Sequence, residues 1–211
     1  MALKTGMFLR RAERDDMDTV VTWMDDPDFL HFLYGDPVRS PKQIREHLTA
    51  VLGRNAPNTV PSGMYLIVES SEHGPVGLVS IMNISWRNRS CSLDAYIGNK
   101  SLRSGMVAGI SLYRAMEFCF DELNLHRITT YIYSFNSPSW RLMELSGAKR
   151  ELVMRHHVPR DGKLYDLYAY GLLRREFEAL RERQAARFKG KSLAEMIAAQ
   201  QEALAQAETA P

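Results

Sequence analysis

The stretch from Cys91 to Gly147 most constrains the fold, because its pattern changes from strand to helix and back again. Apolar residues alternate with polar or aromatic ones over Leu93–Ile97, which is typical of a strand. A small, polar turn follows, and then a helical apolar stripe continues to about Leu123. A strand-like segment rich in Ile, Thr and Tyr and a short helix complete the stretch. This order predicts a right-handed βαβ crossover followed by one more helix.

The turn before the long helix is a candidate anion site. The first N–H groups of a helix have no partner within it and carry the positive end of its dipole. Small residues before a helix let a pyrophosphate approach the backbone, and Arg103 could add a charge-assisted hydrogen bond. An ordinary strand-to-helix loop with a surface arginine is the alternative.

The rest of the chain supplies further strands and helices. In the final helix of the central stretch, Ser137 is a candidate cap and Pro138 suits the first turn. Asp161-Gly162 predicts a hairpin turn. The prediction is an α+β protein with a mixed, mostly antiparallel sheet of six or seven strands and helices on both faces. The predicted strands outside the central stretch cover residues 7–12, 64–70, 75–86, 149–158 and 164–173. The main predicted helices cover 14–24 and 41–55, and Gly53 is the end signal of the second.

The chain is expected to hold one main domain, residues 1–178, and a helical extension, residues 179–211. From about Arg174 the composition shifts to Ala, Glu, Gln and Arg, which are strong helix formers. The apolar stripes of this tail are too narrow for an independent fold. We therefore expect the tail to contribute to self-association, with a homodimer as one outcome.

Composition limits the possible partners. A net charge of +2 is too mild to argue for nucleic acid. Cys91 and Cys119 lie in apolar segments and are expected to be reduced core thiols without zinc-like spacing, so no metal is predicted. The start of the chain lacks the apolar run of a signal peptide, and no stretch approaches a membrane span. A cytoplasmic protein without a membrane partner is the expectation.

An acidic segment precedes the second main helix and carries two candidate substrate-binding residues, His31 and Tyr34. Carboxylates beside a site could attract a cationic amine. Helix caps and solvated turns are the alternative explanation. The acidic residues are Asp25, Asp26, Asp28 and Asp36.

The motifs CSLDAYIG, RSGMVAG, FDELNLHRI and SGAKRE resemble the Gcn5-related N-acetyltransferase (GNAT) superfamily over about residues 7–178. They look most like the branch with ribosomal-protein-alanine, spermidine and nucleotide-amino-sugar acetyltransferases. The resemblance implies the acyl-CoA N-acyltransferase fold and acetyl-CoA as co-substrate. It also implies transfer of acetyl to a primary amine of a small molecule or a protein N-terminus, by direct attack in a ternary complex.

The resemblance assigns roles to particular residues. An irregularity in the strand before the phosphate turn is expected to free backbone amides for the pantetheine and the thioester, and Gly98 suits such a break. Asn136 matches the family's cofactor-binding Asn, although its side chain could also cap the next helix. The full set of implied cofactor-binding residues is Tyr96, Ile97, Gly98, Arg103, Ser104, Gly105, Met106, Val107, Ala108 and Asn136.

Asp94 is the candidate general base, because it alternates with apolar residues in that strand and so could face the cleft. A carboxylate in a surface salt bridge is the alternative.

Two positions depart from the family pattern. Met106 stands where the phosphate turn usually has glycine, so its side chain must point away from the phosphates. Met143 stands where the family often has a tyrosine that protonates the leaving thiolate, and a thioether cannot donate a proton. These departures support a second hypothesis, in which the chain is a catalytically impaired acyl-CoA-binding pseudoenzyme that acts as a sensor or scaffold.

Overall fold

The computed structural model describes residues 6–33, 40–53, 60–103 and 105–187. Its seven strands form one sheet in the order β1-β2-β3-β4-β5-β7-β6. Only β4 and β5 pair in parallel, so the predicted mixed, mostly antiparallel sheet is confirmed. The strands are β1 Met7–Arg11, β2 Met64–Ser70, β3 Gly74–Ser85, β4 Ser90–Ile97, β5 Arg127–Tyr133, β6 Lys149–Arg160 and β7 Lys163–Leu173.

Helices cover both faces of this sheet, as predicted. The larger core lies on the face under α4, α5 and α6, and the smaller core lies under α1, α2 and α3. Strand alternation separates the two cores: Leu93 of β4 faces the larger one, and Tyr96 packs against the smaller one. None of the helices in the described ranges is long and apolar enough to cross a membrane. The helices are α1 Met17–Met24, α2 Pro27–Leu33, α3 Pro41–Gly53, α4 Gly105–Glu117, α5 Ser137–Leu145 and α6 Arg174–Arg187.

The hairpin turn that the sequence predicts is present, and α5 begins close to the predicted place. Asp161 and Gly162 have φ values of +50° and +71° and form the two-residue connection between β6 and β7. Pro138 lies in the first turn of α5, but the cap of this helix is Asn136 and not Ser137. Asn136 Oδ1 accepts a hydrogen bond from Ser139 N, three residues on, which is the reach of a capping side chain.

The last described helix is anchored to the body of the protein. Phe177 of α6 stacks near Phe120 and Tyr113, with ring centroids 5.1 and 5.3 Å apart. Arg181 pairs with Asp121, which follows α4 in a π-helical turn, Phe118–Glu122. The predicted boundary at residue 178 falls inside α6. Residues 188–211, on which the prediction of self-association rests, lie outside the described residues.

Candidate active site

The parallel strands β4 and β5 separate after three residue pairs. The pairs are Ser90–Arg127, Cys91–Ile128 and Ser92–Thr129. Beyond them, β4 continues to Ile97 against β3, and β5 continues to Tyr133 against β7. Within the described residues, the facing edges of β4 and β5 therefore carry no further ladder. The backbone groups of such an edge can bind an extended ligand as an added strand.

The sequence led us to expect that an irregularity in β4 opens this gap. The structure shows a different cause. The register of β4 with β3 is unbroken from Ser92–Met82 to Ile97–Gly77. The register shift in this pair lies on β3, near Asn83, whose φ is +52°. Divergence from β5 therefore exposes the edge of β4.

Gly98 does mark the end of β4, but it also has a packing role. A Cβ atom at this position would lie 2.2 Å from the indole of Trp23 in α1. Glycine is needed here because the backbone after β4 lies directly against that ring. Ile97 is buried as well, so its side chain is directed into the core.

The N-terminus of α4 follows the end of β4 through a short turn. Asn99 caps this turn: its Oδ1 accepts hydrogen bonds from Ser101 N at 3.1 Å and Ser101 Oγ at 2.7 Å. The helix begins at Gly105, so the amides of its first turn start there. Predicted site residues Met106, Val107 and Ala108 turn their side chains towards the larger core. Met106 is partly buried against this core, and the expectation that its side chain points away from the phosphates stays a prediction. Ser104 lies outside the described residues.

Asp94 lies where β4 leaves β5. Its Oδ1 accepts a hydrogen bond of 3.4 Å from Thr130 Oγ1, on the first β5 residue beyond the parallel ladder. Burial raises the pKa of Asp94 from 3.8 to about 6, and the bond from Thr130 opposes this shift only in part. No Lys, Arg or His of the described chain forms an ion pair with Asp94, so the structure does not support the surface salt bridge. At neutral pH this carboxylate is ionised and more basic than an ordinary aspartate.

Arg103 makes its hydrogen bonds to β4 and to the acidic residues at the start of α2. Its Nε donates to Ile97 O at 3.0 Å, and Nη1 donates to Asp28 Oδ2 at 2.6 Å. Its Nη2 donates to Tyr96 OH at 2.6 Å and to Asp26 Oδ2 at 3.4 Å. The guanidinium is thus held by groups other than a phosphate, and its predicted contact with pyrophosphate stays a prediction.

Two of the four acidic residues around α2, Asp26 and Asp28, are paired within the protein. Asp26 pairs with Lys100 at 3.1 Å in addition to Arg103, and Asp28 pairs with Arg103. The negative charge available to attract a cationic amine is therefore smaller than the sequence suggested. Asp36 and the predicted substrate residue Tyr34 lie outside the described residues.

Asn136 is buried and uses both ends of its amide. Besides capping α5, its Nδ2 donates to Phe32 O of α2 at 3.3 Å. The capping role is confirmed, whereas the cofactor-binding role stays a prediction. The contact with α2 was not predictable, because the two residues are 104 positions apart.

His31, the other predicted substrate residue, belongs to an aromatic cluster at the end of β5. Its ring lies 4.8 Å from that of Phe32 and 5.3 Å from that of Phe135. Phe135 in turn contacts the rings of Tyr133 and Tyr165. Arg160 places its guanidinium 4.8 Å from the centre of the Phe135 ring and donates to His31 O. The sequence alone pointed to neither Phe135 nor Arg160 as a site residue.

Among residues 6–33, 40–53, 60–103 and 105–187, no group of three or more His, Cys, Asp or Glu side chains is arranged to hold a metal ion. Cys91 and Cys119 are both buried as free thiols, with their sulfur atoms 3.9 Å apart. The neighbouring thiol of Cys91 and burial both raise the pKa of Cys119, which keeps this thiol protonated.

Comparison with known proteins identifies the family. The acetyltransferase (GNAT) domain family matches residues 7–149. The chain belongs to the GNAT acetyltransferases. It is 22% identical to the uncharacterized N-acetyltransferase p20 of Bacillus licheniformis over 171 residues, which is 81% of this chain and 94% of that protein. The activity class is therefore that of an N-acetyltransferase enzyme.

Solved structures confirm the GNAT fold. Spermidine N-acetyltransferase from Vibrio cholerae, in complex with CoA and spermine, has a TM-score of 0.72 at 20% identity and covers 82% of this chain and 98% of that one. A dodecameric structure of the Vibrio cholerae enzyme has a TM-score of 0.67 at 21% identity and covers 82% and 96%. At this level of identity, the likeness shows the fold.

Met143, to which the resemblance assigns the position of a tyrosine acid, is a core residue. Its side chain is 4% exposed and packs in the larger core. It offers neither a proton nor an exposed surface to a ligand. Any proton for the leaving thiolate must come from elsewhere.

Proposed function

We propose that this GNAT protein transfers the acetyl group of acetyl-CoA to a primary amine of a small molecule or a protein N-terminus. The observation that carries the proposal is the gap between β4 and β5, with the first turn of α4 following the end of β4. An exposed strand edge suits the amides of a pantetheine chain, and a helix N-terminus suits a pyrophosphate. The strand edge is followed by the helix N-terminus, and in CoA the pantetheine is likewise followed by the pyrophosphate.

In this proposal the backbone provides most of the donor site. The β4 edge from Tyr96 to Gly98 binds the pantetheine, and the amides of Ser104–Ala108 bind the pyrophosphate. The side chains of Tyr96, Ile97, Met106 and Val107 are turned towards the protein, which leaves the backbone as their means of contact. Asn136, at the start of α5, is proposed to contact the cofactor as well.

Asp94 acts as the general base. The amine attacks the thioester carbonyl within a ternary complex, and Asp94 accepts the proton that the amine nitrogen loses, directly or through one water. The tetrahedral intermediate collapses, the C–S bond breaks, and the CoA thiolate leaves and is protonated by water. A base with a pKa of about 6 is ionised at neutral pH and still accepts a proton better than an ordinary aspartate.

The acceptor is proposed to enter between α2 and the end of β5. The aromatic cluster around Phe135, which includes the predicted contact residue His31, is located on this side. Spermidine is one candidate, because a relative of known structure is a spermidine N-acetyltransferase. Protein N-termini and amino groups of nucleotide sugars are equally compatible with a site in which Asp26 and Asp28 are neutralised.

The test is the release of free CoA from acetyl-CoA in the presence of spermidine, a short peptide with a free N-terminus, or a nucleotide amino sugar. We expect one amine to accelerate release above the rate of hydrolysis and to be recovered with one added acetyl group. Calorimetric binding of CoA is measured in parallel. Binding of CoA without turnover of any amine would favour the pseudoenzyme, the hypothesis to which the buried Met143 lends support.

We also propose that the protein assembles into a homo-oligomer. The dodecameric state of the Vibrio cholerae relative supports this idea. Light scattering after size-exclusion chromatography gives the mass of the full chain, and deletion of residues 190–211 tests the tail. An oligomer that survives this deletion would place the interface outside the tail.

A further inference from the structure

Arg103 connects three parts of the proposed site. Its guanidinium donates to the carbonyl at the end of β4, to the hydroxyl of Tyr96 within β4, and to both Asp26 and Asp28 at the start of α2. Asp26 and Asp28 are more than seventy residues away in sequence, so these contacts hold separate segments together. Since guanidinium–carboxylate bonds are among the stronger hydrogen bonds in proteins, the set favours one position of α2.

Asp26 links Arg103 to the backbone of α2. Its Oδ1 accepts a hydrogen bond of 2.9 Å from Asp28 N in the first turn of α2, while its Oδ2 faces Arg103 and Lys100. The side chain of Asp26 is only 8% exposed, so solvent screens its pair with Arg103 less than the pair between Arg103 and the half-exposed Asp28. The carboxylate therefore bonds to the start of the helix with one oxygen and to the phosphate turn with the other.

Tyr96 forms a second, apolar connection. The ring of Phe29 in α2 meets the ring of Tyr96 edge-on, with centroids 4.7 Å apart, and Arg103 lies 5.0 Å from the centre of the same ring. Burial raises the pKa of Tyr96 to about 12, so its hydroxyl stays neutral and accepts from Arg103. The first turn of α2 thus packs on a residue whose orientation Arg103 fixes.

We propose that Arg103 is a positioning residue for the acceptor side of the site and not a ligand of the CoA phosphates. It holds the N-terminal end of α2, the helix that carries His31, against the end of β4. The donor turn and the acceptor helix are thereby set relative to one another before either substrate binds. The position of the acceptor in this statement rests on the proposed function, whereas the fixing of α2 does not.

The experiment compares Arg103→Gln with Asp28→Asn, which removes one counter-charge and leaves Arg103 in place. Arg45→Gln is the matched control, because Arg45 forms its ion pair with Asp18 between α3 and α1. Hydrogen–deuterium exchange of the peptide covering Pro27–Leu33 reports the fixing of α2. Calorimetry with CoA reports the donor site. Steady-state kinetics with acetyl-CoA and spermidine as the probe amine separate the two KM values.

We expect exchange in α2 to become at least tenfold faster in Arg103→Gln and Asp28→Asn, and to be unchanged in Arg45→Gln. The double variant should exchange no faster than Arg103→Gln alone, since both changes break the same connection. The Kd for CoA should stay within about threefold of the wild-type value, or rise equally in both single variants. If spermidine is a substrate, the KM for spermidine should rise tenfold in Arg103→Gln and Asp28→Asn. The KM for acetyl-CoA should not rise.

Unchanged exchange in α2 in Arg103→Gln would overturn the proposal. A tenfold rise in the Kd for CoA in Arg103→Gln alone would also overturn it, whatever α2 does, because Arg103 would then contact the donor. Failure of spermidine and of every other amine to react would count against the proposed function. Exchange and calorimetry would still decide the role of Arg103 in that case.

Discussion

Replacing Asp94 with asparagine is expected to have opposite effects on activity and on stability. The change keeps the size of the side chain and removes its charge. In the folded protein, burial holds the pKa of Asp94 at about 6, compared with 3.8 for an ordinary aspartate. This difference of about 2 units corresponds to about 3 kcal/mol. Below pH 3.8 the Asp94 carboxyl is protonated in both the folded and the unfolded chain, so it does not affect the free energy of unfolding.

As the pH rises from about 4 to 6, the unfolded chain loses the Asp94 proton first and the folded protein retains it. Stability therefore falls over this range, and above it the full penalty for a charged Asp94 remains. Asp94→Asn should thus raise the free energy of unfolding by up to about 3 kcal/mol at pH 7, and by nothing near pH 3.5. In a chain of 211 residues this gain is roughly 6–12 °C in Tm.

Urea unfolding at several pH values measures the stability, and CoA release measures the activity. The kcat/KM of Asp94→Asn should fall by roughly 10²–10⁴-fold, the usual contribution of a general base, and the rise of wild-type kcat/KM near pH 6 should vanish. Asp16→Asn is the control, because the hydrogen bond from Arg10 lowers the pKa of Asp16 and this variant should lose stability at pH 7. Loss of stability in Asp94→Asn, or full activity, would refute the argument.

The other predictions follow from single contacts. Thr130→Val removes a hydrogen bond to ionised Asp94, so the midpoint of the pH–rate profile should move upward while Thr130→Ser restores it. Gly98→Ala should cost about 1–3 kcal/mol in urea unfolding, because the new methyl group overlaps the Trp23 ring. Met143→Ala should cost about 2–5 kcal/mol of stability but leave kcat within a few-fold, since Met143 is a core residue without a proton to donate. Acetyl-CoA at a hundredfold excess over Kd should stabilise the fold by about 2.7 kcal/mol in a thermal melt, and an unchanged Tm would contradict donor binding.

Local patterns were sufficient to predict the elements around the site. The alternation in Leu93–Ile97 and the helical stripe after the turn indicated β4 and α4, and Asp161-Gly162 indicated the hairpin. These features depend only on residues that are close together in the sequence, so their spacing can be read from it. The cap of α5 was harder, because Asn136 and Ser137 are both good capping residues and only the backbone geometry distinguishes them.

Contacts between distant segments could not be predicted from the same patterns. The sequence assigned Arg103 to a phosphate because of its place in a motif, but its acidic partners are Asp26, just before α2, and Asp28, in the first turn of α2. Likewise, the sequence assigned Asn136 to the cofactor by its match to the family, but it did not predict the hydrogen bond from Asn136 to Phe32 O. The edge of β4 is exposed because β5 leaves it after three residue pairs while staying paired with β7 over its whole length. Local patterns do not state this course of β5, so the expected irregularity in β4 was not the cause.

The position of α2 depends on side chains from three other segments. Arg103 holds its N-terminal end, whereas Asn136 and Arg160 donate to the carbonyls of Phe32 and His31 near its C-terminal end. Two of these three residues also occupy positions where the GNAT resemblance implies CoA contacts. A substitution at Arg103 or Asn136 can therefore alter acceptor binding through α2 even when the donor site is intact. Loss of activity in such a variant identifies a CoA ligand only when its CoA affinity falls and that of Asp28→Asn, which disturbs the same helix, does not.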